Sequence, residues 1–328
     1  MKNSKFQIAI VGSGQLGSRH LQGLSKTKKY IEITVIDPNL KSLSLAKTRF
    51  NQIPKTNKVI SIRYISNYNE INRNIDIAII ATNADVRRIV IEKLLLSTNV
   101  KYMILEKVAF QSINDFQTVI SLLNKKQITA WVNCPRRMYS FFQNIKQDTL
   151  KAKSIKIYLE GSQWGLACNA IHFLDIFAFL TNESDLNINI NKLNKQIYSS
   201  KRDGFLEITG KLLVNSKRGD LLEMIDYNLD TSYLNQIVEI GEMQYIIENR
   251  KGIISSRFTS GKNIKKLPFE LPLQSELTGL VVDKILEEGS SDLTPLLESF
   301  DLHKPMLKAF NNHFSSINKK NINTCPIT

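Results

Sequence analysis

Cysteine is scarce in this sequence: the three residues Cys134, Cys168 and Cys325 lie far apart, without a Cys-x-x-Cys pair. Neither a disulfide framework nor a zinc site is indicated, and we expect no metal centre. The chain also lacks the basic and apolar pattern of an N-terminal signal, and no apolar run approaches the ~20 residues that cross a bilayer. Together with 42% hydrophobic and 23% charged residues, these absences predict a globular cytoplasmic protein with no membrane partner.

Acidic residues are few in the first part of the chain. Residues 1–150 carry 23 Lys and Arg against 9 Asp and Glu, whereas residues 151–328 carry 21 of each, so the whole net charge of +14 lies in the first part. A positive field there would attract anionic cofactor or substrate groups, but a solvated lysine-rich surface would give the same count. The basic residues occur in short pairs without interleaved aromatics, which disfavours nucleic-acid binding.

An apolar run at Phe6–Val11 leads directly into a glycine-spaced turn, which predicts a strand, a phosphate loop and a helix start. A second apolar run, Ile31–Ile36, ends in Asp37, 25 positions after Gly12. This is close to the offset at which an acid accepts the ribose hydroxyls of a dinucleotide. The predicted cofactor-binding residues here are Gly12, Gly14, Gln15, Leu16, Gly17 and Asp37.

Strands and helices alternate up to residue 132, which predicts an α/β Rossmann domain with a doubly wound parallel sheet at 1–132. Residues 133–328 contain many strand patterns with few helices, which predicts an α+β domain with a mostly antiparallel sheet. A helix over about 165–180 interrupts these strands. Helices over 273–288 and 295–314 close the chain, and we expect that they can pack back on the first domain.

Ligands of open parallel sheets bind at the carboxyl ends of strands. Three segments directly follow predicted strands there: Thr82-Asn83, Glu106-Lys107 and Asn133–Arg137. Lys107 could donate a hydrogen bond to a substrate hydroxyl beside a nicotinamide, although a lysine that only solvates a strand end would fit the same pattern. Arg136 and Arg137 could anchor a carboxylate or phosphate of the substrate.

The helix predicted over 165–180 carries a second candidate group. Cys168, His172 and Asp175 are spaced i, i+4 and i+7 and therefore share one helix face. His172 could act as a general base whose tautomer Asp175 fixes. A core histidine tied to Asp175 is the alternative.

These motifs, taken in order, resemble the glucose-fructose oxidoreductase / inositol dehydrogenase / MocA (Gfo/Idh/MocA) superfamily. The resemblance implies an NAD(P)-dependent oxidoreductase that acts on a sugar, cyclitol or nucleotide-linked sugar, with a large open-faced sheet for substrate binding and oligomer contacts. The segments that carry it are Gly12–His20, Asp37, Ala81–Asn83, Glu106-Lys107, Asn133–Arg137, Gly165–Asp175 and Leu293–Glu298.

The resemblance assigns catalytic roles to Lys107, which matches the lysine of a Glu-Lys-Pro motif, and to His172. It implies cofactor contacts from Thr82, Asn83 and Glu106, and substrate contacts from Arg136, Arg137, Cys168, Asn169 and Asp175. The sequence departs from the family pattern at two positions: Val108 replaces the proline, and Cys168 replaces an aspartate one turn before the histidine.

Asp37 is followed by Pro38-Asn39 rather than by an arginine. Because a carboxylate repels a 2′-phosphate, NAD is favoured over NADP. The predicted protein is a homodimeric or homotetrameric sugar dehydrogenase or reductase with a small-molecule substrate, with a role in surface-polysaccharide synthesis as one option. The alternative is a non-catalytic NAD-binding regulator or scaffold subunit of the same fold.

Overall fold

The computed structural model describes residues 5–54, 56–150, 152–248, 251–261, 263–269 and 271–328. Its helices are α1 (Gln15–Leu24), α2 (Leu40–Asn51), α3 (Arg87–Ser97), α4 (Ile113–Lys125), α5 (Ser140–Thr149), α6 (Leu166–Thr181), α7 (Gln274–Glu288) and α8 (Leu296–Asn318). Its strands are β1 (Phe6–Val11), β2 (Ile31–Ile36), β3 (Val59–Ile65), β4 (Asn74–Ile80), β5 (Asn99–Leu105), β6 (Thr129–Val132), β7 (Ile155–Ser162), β8 (Leu186–Ser199), β9 (Leu206–Ser216), β10 (Leu221–Asp226), β11 (Tyr233–Ile240), β12 (Met243–Glu248), β13 (Ile253–Phe258), β14 (Asn263–Pro268) and β15 (Thr294–Pro295).

The backbone divides into two compact units. Unit 1 contains Met1–Phe110, Asn114–Pro135 and Pro272–Leu296, and unit 2 contains Gln111–Ile113, Arg136–Leu271 and Leu297–Thr328. The chain therefore leaves unit 1 after β6 and returns to it for α7 and β15.

Unit 1 is built on a seven-stranded sheet with the order β15-β6-β5-β4-β1-β2-β3. Every neighbouring pair is parallel except β15 and β6. The central strands β1 and β4 read as nearly unbroken apolar runs and are buried over most of their length, as expected for strands covered on both faces. The predicted Rossmann sheet is confirmed.

Helix α1 makes close contacts that only small residues allow. A Cβ on Gly17 would lie 1.9 Å from the Gly12 carbonyl oxygen, so the helix can approach the turn after β1 only with glycine at this position. Farther along, a Cβ on Gly23 would lie 2.7 Å from the Cβ of Thr278 on α7. Helix α7 therefore packs tightly on α1, and Asp283 secures the end of α1 through the Thr27 hydroxyl and the Lys28 amide.

Unit 2 contains an eight-stranded sheet with the order β14-β13-β12-β11-β7-β10-β9-β8. Its pairs are antiparallel apart from β7 and β10. Burial alternates along β10, where Leu222 and Met224 are buried while Glu223 and Ile225 are half-buried. Helix α6 is almost entirely buried and packs on β7, β9 and β10. The large, mostly antiparallel sheet predicted for this part of the chain is confirmed.

Four of these elements go beyond the sequence prediction: α5, β13, β14 and the short β15. Helix α5 buries Phe142, Ile145 and Thr149, a helical spacing that the sequence prediction does not include. Strands β13 and β14 extend the sheet beyond β12 by antiparallel pairing. Among the described residues, no helix combines the length and apolar character that a bilayer crossing requires.

Candidate functional site

The carboxyl ends of four strands of unit 1 lie side by side. The register aligns Val11 with Ile80, Ile80 with Leu105, and Leu105 with Val132. The residues that follow these strands therefore share one edge of the sheet. This edge brings together the glycine turn and the predicted segments that begin at Thr82, Glu106 and Asn133.

The glycine turn offers an open cradle for a phosphate group. Gly12 has φ +91°, a conformation that favours glycine, and a Cβ on Gly14 would meet nothing within 4 Å. No side chain caps the first turn of α1, where Gln15 is exposed and Leu16 half-buried. The Thr82 hydroxyl is buried and has no hydrogen-bond partner among the described residues. This arrangement fits the pyrophosphate of a dinucleotide, because free donors face open space at a helix N-terminus.

Asp37 stands at the end of β2 and is linked to the same turn. Its Oδ2 accepts hydrogen bonds from the Ser13 amide at 2.7 Å and the Ser13 hydroxyl at 3.0 Å, and its Oδ1 accepts one from the Asn39 amide at 2.8 Å. The carboxylate stays half-buried and keeps lone pairs for further donors. Burial, and then the charge of Asp37, raises the pKa of Tyr68 to about 12, so the phenol also belongs to this end of the site.

Residues 106–109 follow β5 and are called the lysine turn below. Glu106 is 4% exposed, and its Oε1 accepts hydrogen bonds from His20 Nε2 at 2.8 Å and Asn133 Nδ2 at 2.6 Å. Burial alone would raise the pKa of Glu106, but the hydrogen bond and charge of His20, followed by Asn133 and Arg87, lower it. Oε1 is therefore committed to partners inside the unit, where Glu106 acts as an internal anchor, and the cofactor contact of Glu106 stays a prediction.

Lys107 is half-buried in the lysine turn, between Glu106 and the fully buried Val108. The Lys107–Val108 peptide bond is cis. Asn83, at the end of the turn after β4, is exposed. Lys107 and Asn83 are thus at the edge where the sequence predicts them, in the same unit as the glycine turn.

In unit 2, α6 carries the predicted helix-face residues. Gly165, with φ +78°, precedes the helix, and Glu207 of β9 accepts hydrogen bonds from the amides of Ala167 at 2.8 Å and Cys168 at 3.3 Å. Cys168 is 8% exposed and its sulfur lies 3.8 Å from the Ser200 hydroxyl. A carboxylate therefore reaches this end of α6 from a neighbouring strand.

The other residues of the helix face divide into buried and half-buried positions. His172 is half-buried. Asp175 is fully buried and receives two hydrogen bonds from Arg137, from Nε at 3.0 Å and from Nη2 at 2.5 Å. Asn169 Nδ2 donates to the Trp164 carbonyl at 2.7 Å. Asp175 is thus engaged by a permanent cation, a partner that helix spacing alone does not suggest.

The two predicted arginine anchors differ sharply. Arg137 is 7% exposed and also contacts Glu298 at 2.7 Å. Although burial would lower the pKa of Arg137, the charges and hydrogen bonds of Asp175 and Glu298 raise it. Two carboxylates of its own unit thus engage Arg137, and its role as a substrate anchor stays a prediction. Arg136 is half-buried and its guanidinium stacks on the Phe173 ring, 4.5 Å from the centroid.

Sequence reasoning missed Arg87, Glu207 and Tyr68. Arg87 and Arg88 form a basic pair that resembles a solvated surface, yet Arg87 is 1% exposed. Only the orientation of α3, which decides the side of the helix that is buried, could have shown that Arg87 is buried and Arg88 is not. Glu207 and Tyr68 belong to a strand and a short turn that no motif marks. Within the described ranges, no group of three or more His, Cys, Asp and Glu side chains could hold a metal ion.

Comparison with known proteins identifies unit 1. Residues 6–134 match the GFO_IDH_MocA family model, described as an oxidoreductase family with an NAD-binding Rossmann fold. The match covers the part of the chain that carries the glycine turn, Asp37 and the lysine turn. The resemblance deduced from the motifs is confirmed, and so is the expectation of NAD as the cofactor of this domain. No curated protein matches the sequence.

Solved structures extend the fold similarity to nearly the whole chain. An oxidoreductase from Agrobacterium radiobacter in complex with NAD+, L-tartaric acid and magnesium is 14% identical, with a TM-score of 0.70 over 96% of this chain and 99% of that chain. UDP-N-acetylglucosamine 3-dehydrogenase from Acidithiobacillus ferrooxidans is 9% identical, with a TM-score of 0.71 over 93% and 97%. The super-repressor mutant of Gal80p from Saccharomyces cerevisiae is 13% identical, with a TM-score of 0.71 over 95% and 97%. At these identities the similarity concerns the fold.

Proposed function

We propose that the protein is an NAD-dependent oxidoreductase that acts on a hydroxyl-bearing carbon of a sugar, a cyclitol or a nucleotide-linked sugar. The observation that carries this proposal is the placement of Lys107, half-buried beside the anchor Glu106, at the sheet edge that also holds the glycine turn. A lysine that merely solvated a strand end would not need a neighbouring residue anchored by buried hydrogen bonds, as Glu106 is.

Bound NAD would supply or accept the hydride. The Lys107 ammonium donates a hydrogen bond to the oxygen of the reacting carbon and stabilises the negative charge that develops there. The His172 imidazole accepts the hydroxyl proton during oxidation and returns it during reduction. A neutral imidazole suits this role near neutral pH, whereas an ammonium suits charge stabilisation.

The choice of NAD over NADP is assigned to Asp37. Its half-buried carboxylate can accept hydrogen bonds from ribose hydroxyls and would repel a 2′-phosphate. Asp37→Ala should weaken NAD binding by about 10- to 100-fold, as expected for hydrogen bonds to a charged group, and reduce the preference for NAD. The exposed Asp185→Ala, which lies in unit 2, is the control. Equal NAD affinity in the Asp37 variant would contradict this assignment.

Arg136 supports an anionic substrate. Its side chain is half-buried, and its guanidinium lies against the Phe173 ring, 4.5 Å from the centroid. A guanidinium stacked on an aromatic ring suits the phosphate of a nucleotide-linked sugar, because its planar fork can bind two oxygens at once. The UDP-N-acetylglucosamine 3-dehydrogenase fold neighbour is consistent with this class. Surface-polysaccharide synthesis would be a natural setting for a substrate of this kind.

The deciding experiment begins with the ligands that copurify. Mass spectrometry of small molecules released from the denatured protein is followed by screening of nucleotide-linked sugars, free sugars and cyclitols with NAD and NADH, monitored by NADH absorbance. We expect turnover with at least one member of these classes and loss of turnover in Arg136→Met for anionic members only. NAD binding without turnover of any tested member would contradict the enzyme proposal.

A non-catalytic regulator is the second candidate. The resemblance puts an aspartate at the position of Cys168, and a thiol is a poor substitute for a permanent anion near neutral pH. The Gal80p super-repressor mutant shares the fold. This candidate predicts tight NAD binding with no change in absorbance, whereas turnover by the wild-type protein would exclude it.

A further inference from the structure

Arg87 is the first residue of α3, and its guanidinium lies fully inside unit 1. Nη1 donates hydrogen bonds to the carbonyl oxygens of Glu106 at 2.6 Å and Ala109 at 2.7 Å, and also to that of Val108. Nη2 donates to the carbonyl oxygen of Thr82. One side chain thus joins the turn after β4 to the lysine turn after β5.

General stability does not account for an arginine at this position. A buried guanidinium is costly unless its donors are satisfied, and the N-terminus of a helix is the end where the helix dipole disfavours a cation. Its neighbour Arg88 occupies the ordinary surface position, with a 36% exposed side chain that pairs with Glu92 and Asp115. Arg87 instead binds the backbone carbonyl oxygens of two turns, the one after β4 and the lysine turn after β5.

The carbonyls it binds flank Lys107. Glu106 and Val108, the residues before and after Lys107, both direct their carbonyl oxygens to the same guanidinium nitrogen. The Glu106 side chain is held separately by His20 and Asn133. The backbone from which the Lys107 side chain departs is therefore fixed on both sides, which limits where a flexible four-carbon stem can place its ammonium.

We propose that Arg87 is a positioning residue for Lys107, holding the lysine turn in the geometry needed for hydride transfer. The inference rests on the proposed function of Lys107. A planar fork is required, because one group must reach carbonyls from two separate turns; a lysine at this position would keep the charge and lose that span.

The test compares Arg87→Lys and Arg87→Gln with Arg88→Met, the matched control on the same helix. With the substrate that the wild-type protein turns over, we expect kcat to fall by about 100-fold in both Arg87 variants, the size of loss expected from a misplacement of about 1 Å. KM should change little, because Lys107 acts on the developing charge rather than on ground-state binding. The control should keep the wild-type kcat.

A second readout does not need turnover. Lys107 is labelled with trinitrobenzenesulfonate under native conditions and quantified by peptide mass spectrometry across a pH series. We expect Lys107 to be labelled faster at each pH in the Arg87 variants than in the wild-type protein, because a turn that is no longer held exposes this half-buried side chain, while the labelling of Lys101 is the same in all of them. Circular dichroism and urea unfolding show whether each variant folds.

The two proposals fail in different ways. Wild-type turnover that survives Lys107→Met would refute the catalytic role of Lys107, and the labelling profile would then test Arg87 alone. An Arg87→Lys protein with wild-type kcat and labelling would overturn the positioning role. The positioning role is equally overturned if both Arg87 variants unfold more readily while the folded fraction keeps the wild-type labelling profile.

Discussion

The lysine turn of unit 1 and helix α6 of unit 2 support their candidate catalytic residues in opposite ways. The lysine turn is held mainly through its backbone, by carbonyl oxygens that accept from Arg87, and through one carboxylate, that of Glu106. On α6 the partners are side chains from other elements: Arg137 reaches Asp175, and Glu207 reaches the first turn. The position of a residue at a strand end is determined by sheet topology. The environment of a residue on a helix face is determined by the elements that pack against that face.

The two regions also differ in how their buried carboxylates are neutralised. Asp175 is paired with a guanidinium, which stays charged throughout the accessible pH range. Glu106 is paired with His20, whose charge depends on protonation. We therefore expect acid to weaken the lysine turn once the Glu106 carboxylate is protonated, because the hydrogen bond and charge of His20 stabilise the anion. Four substitutions test this comparison.

Lys107→Met should have the largest effect. Loss of the ammonium should lower kcat by about 1000-fold, within the range for a positioned proton donor, while NAD affinity is retained. Steady-state kinetics and NADH fluorescence titration measure the two quantities. Lys101→Met on β5, which removes an exposed lysine packed on the Tyr102 ring, is the control and should keep full activity. Comparable losses in both variants would argue against a specific role for Lys107.

Asp175→Asn should be the most destabilising change in unit 2. Removing the charge leaves the buried Arg137 with only Glu298, and breaking a buried pair of this kind costs about 3 kcal/mol. Urea unfolding measures the free energy of unfolding. Asp185→Asn, which breaks the exposed pair with Lys217, should cost much less, because solvent screens an exposed pair. Similar costs for the two variants would mean that the Arg137 pair contributes no more than a surface pair.

His172→Asn should lower kcat by about 100-fold, the lower end of general acid–base contributions. The limb of the pH profile of kcat that reports His172 should disappear in the variant. Because His172 is only half-buried, the free energy of unfolding should stay near that of the wild-type protein. A retained pH limb would assign the proton transfer to another group.

Glu106→Gln should have the smallest effect, about 1 kcal/mol at neutral pH, because both hydrogen bonds fall on Oε1 and an amide oxygen in its place can still accept them. The pKa of Glu106 is lowered in the folded protein, mainly by His20 acting against burial. The anion therefore stabilises the fold above the ordinary carboxyl pKa, and this stabilisation is lost as pH falls through the folded value. Urea unfolding in acid should show a shallower loss of stability in the variant than in the wild type. Identical acid profiles would contradict the proposed anchor role.

Sequence patterns predicted what depends on short-range order. Each of these features is encoded by a few neighbouring residues: the apolar run of β1, the turn at Gly12 and the strand end at Asp37. They were therefore enough to predict the Rossmann sheet and its edge. In β13 and β14 a serine or lysine pair interrupts the apolar residues, which breaks the local strand pattern, and these strands join the sheet by pairing in turn with β12 and with each other. Arg87 could not be told from Arg88, since burial depends on which way α3 faces its sheet. For the same reason, spacing on α6 could suggest a link between Asp175 and His172 but not the contact of Asp175 with Arg137, which comes from another element.

The path of the chain through unit 1 has a consequence for the order of biosynthesis. Helix α7 and strand β15, which cover the Gly23 surface of α1 and border β6, leave the ribosome only after the whole of residues 136–271. The nucleotide-binding unit therefore starts first and is completed late, after the intervening sheet has been synthesised. A fragment ending at Pro135 would lack both elements, so a nascent chain acquires its finished cofactor domain only after residues 272–296 have been synthesised.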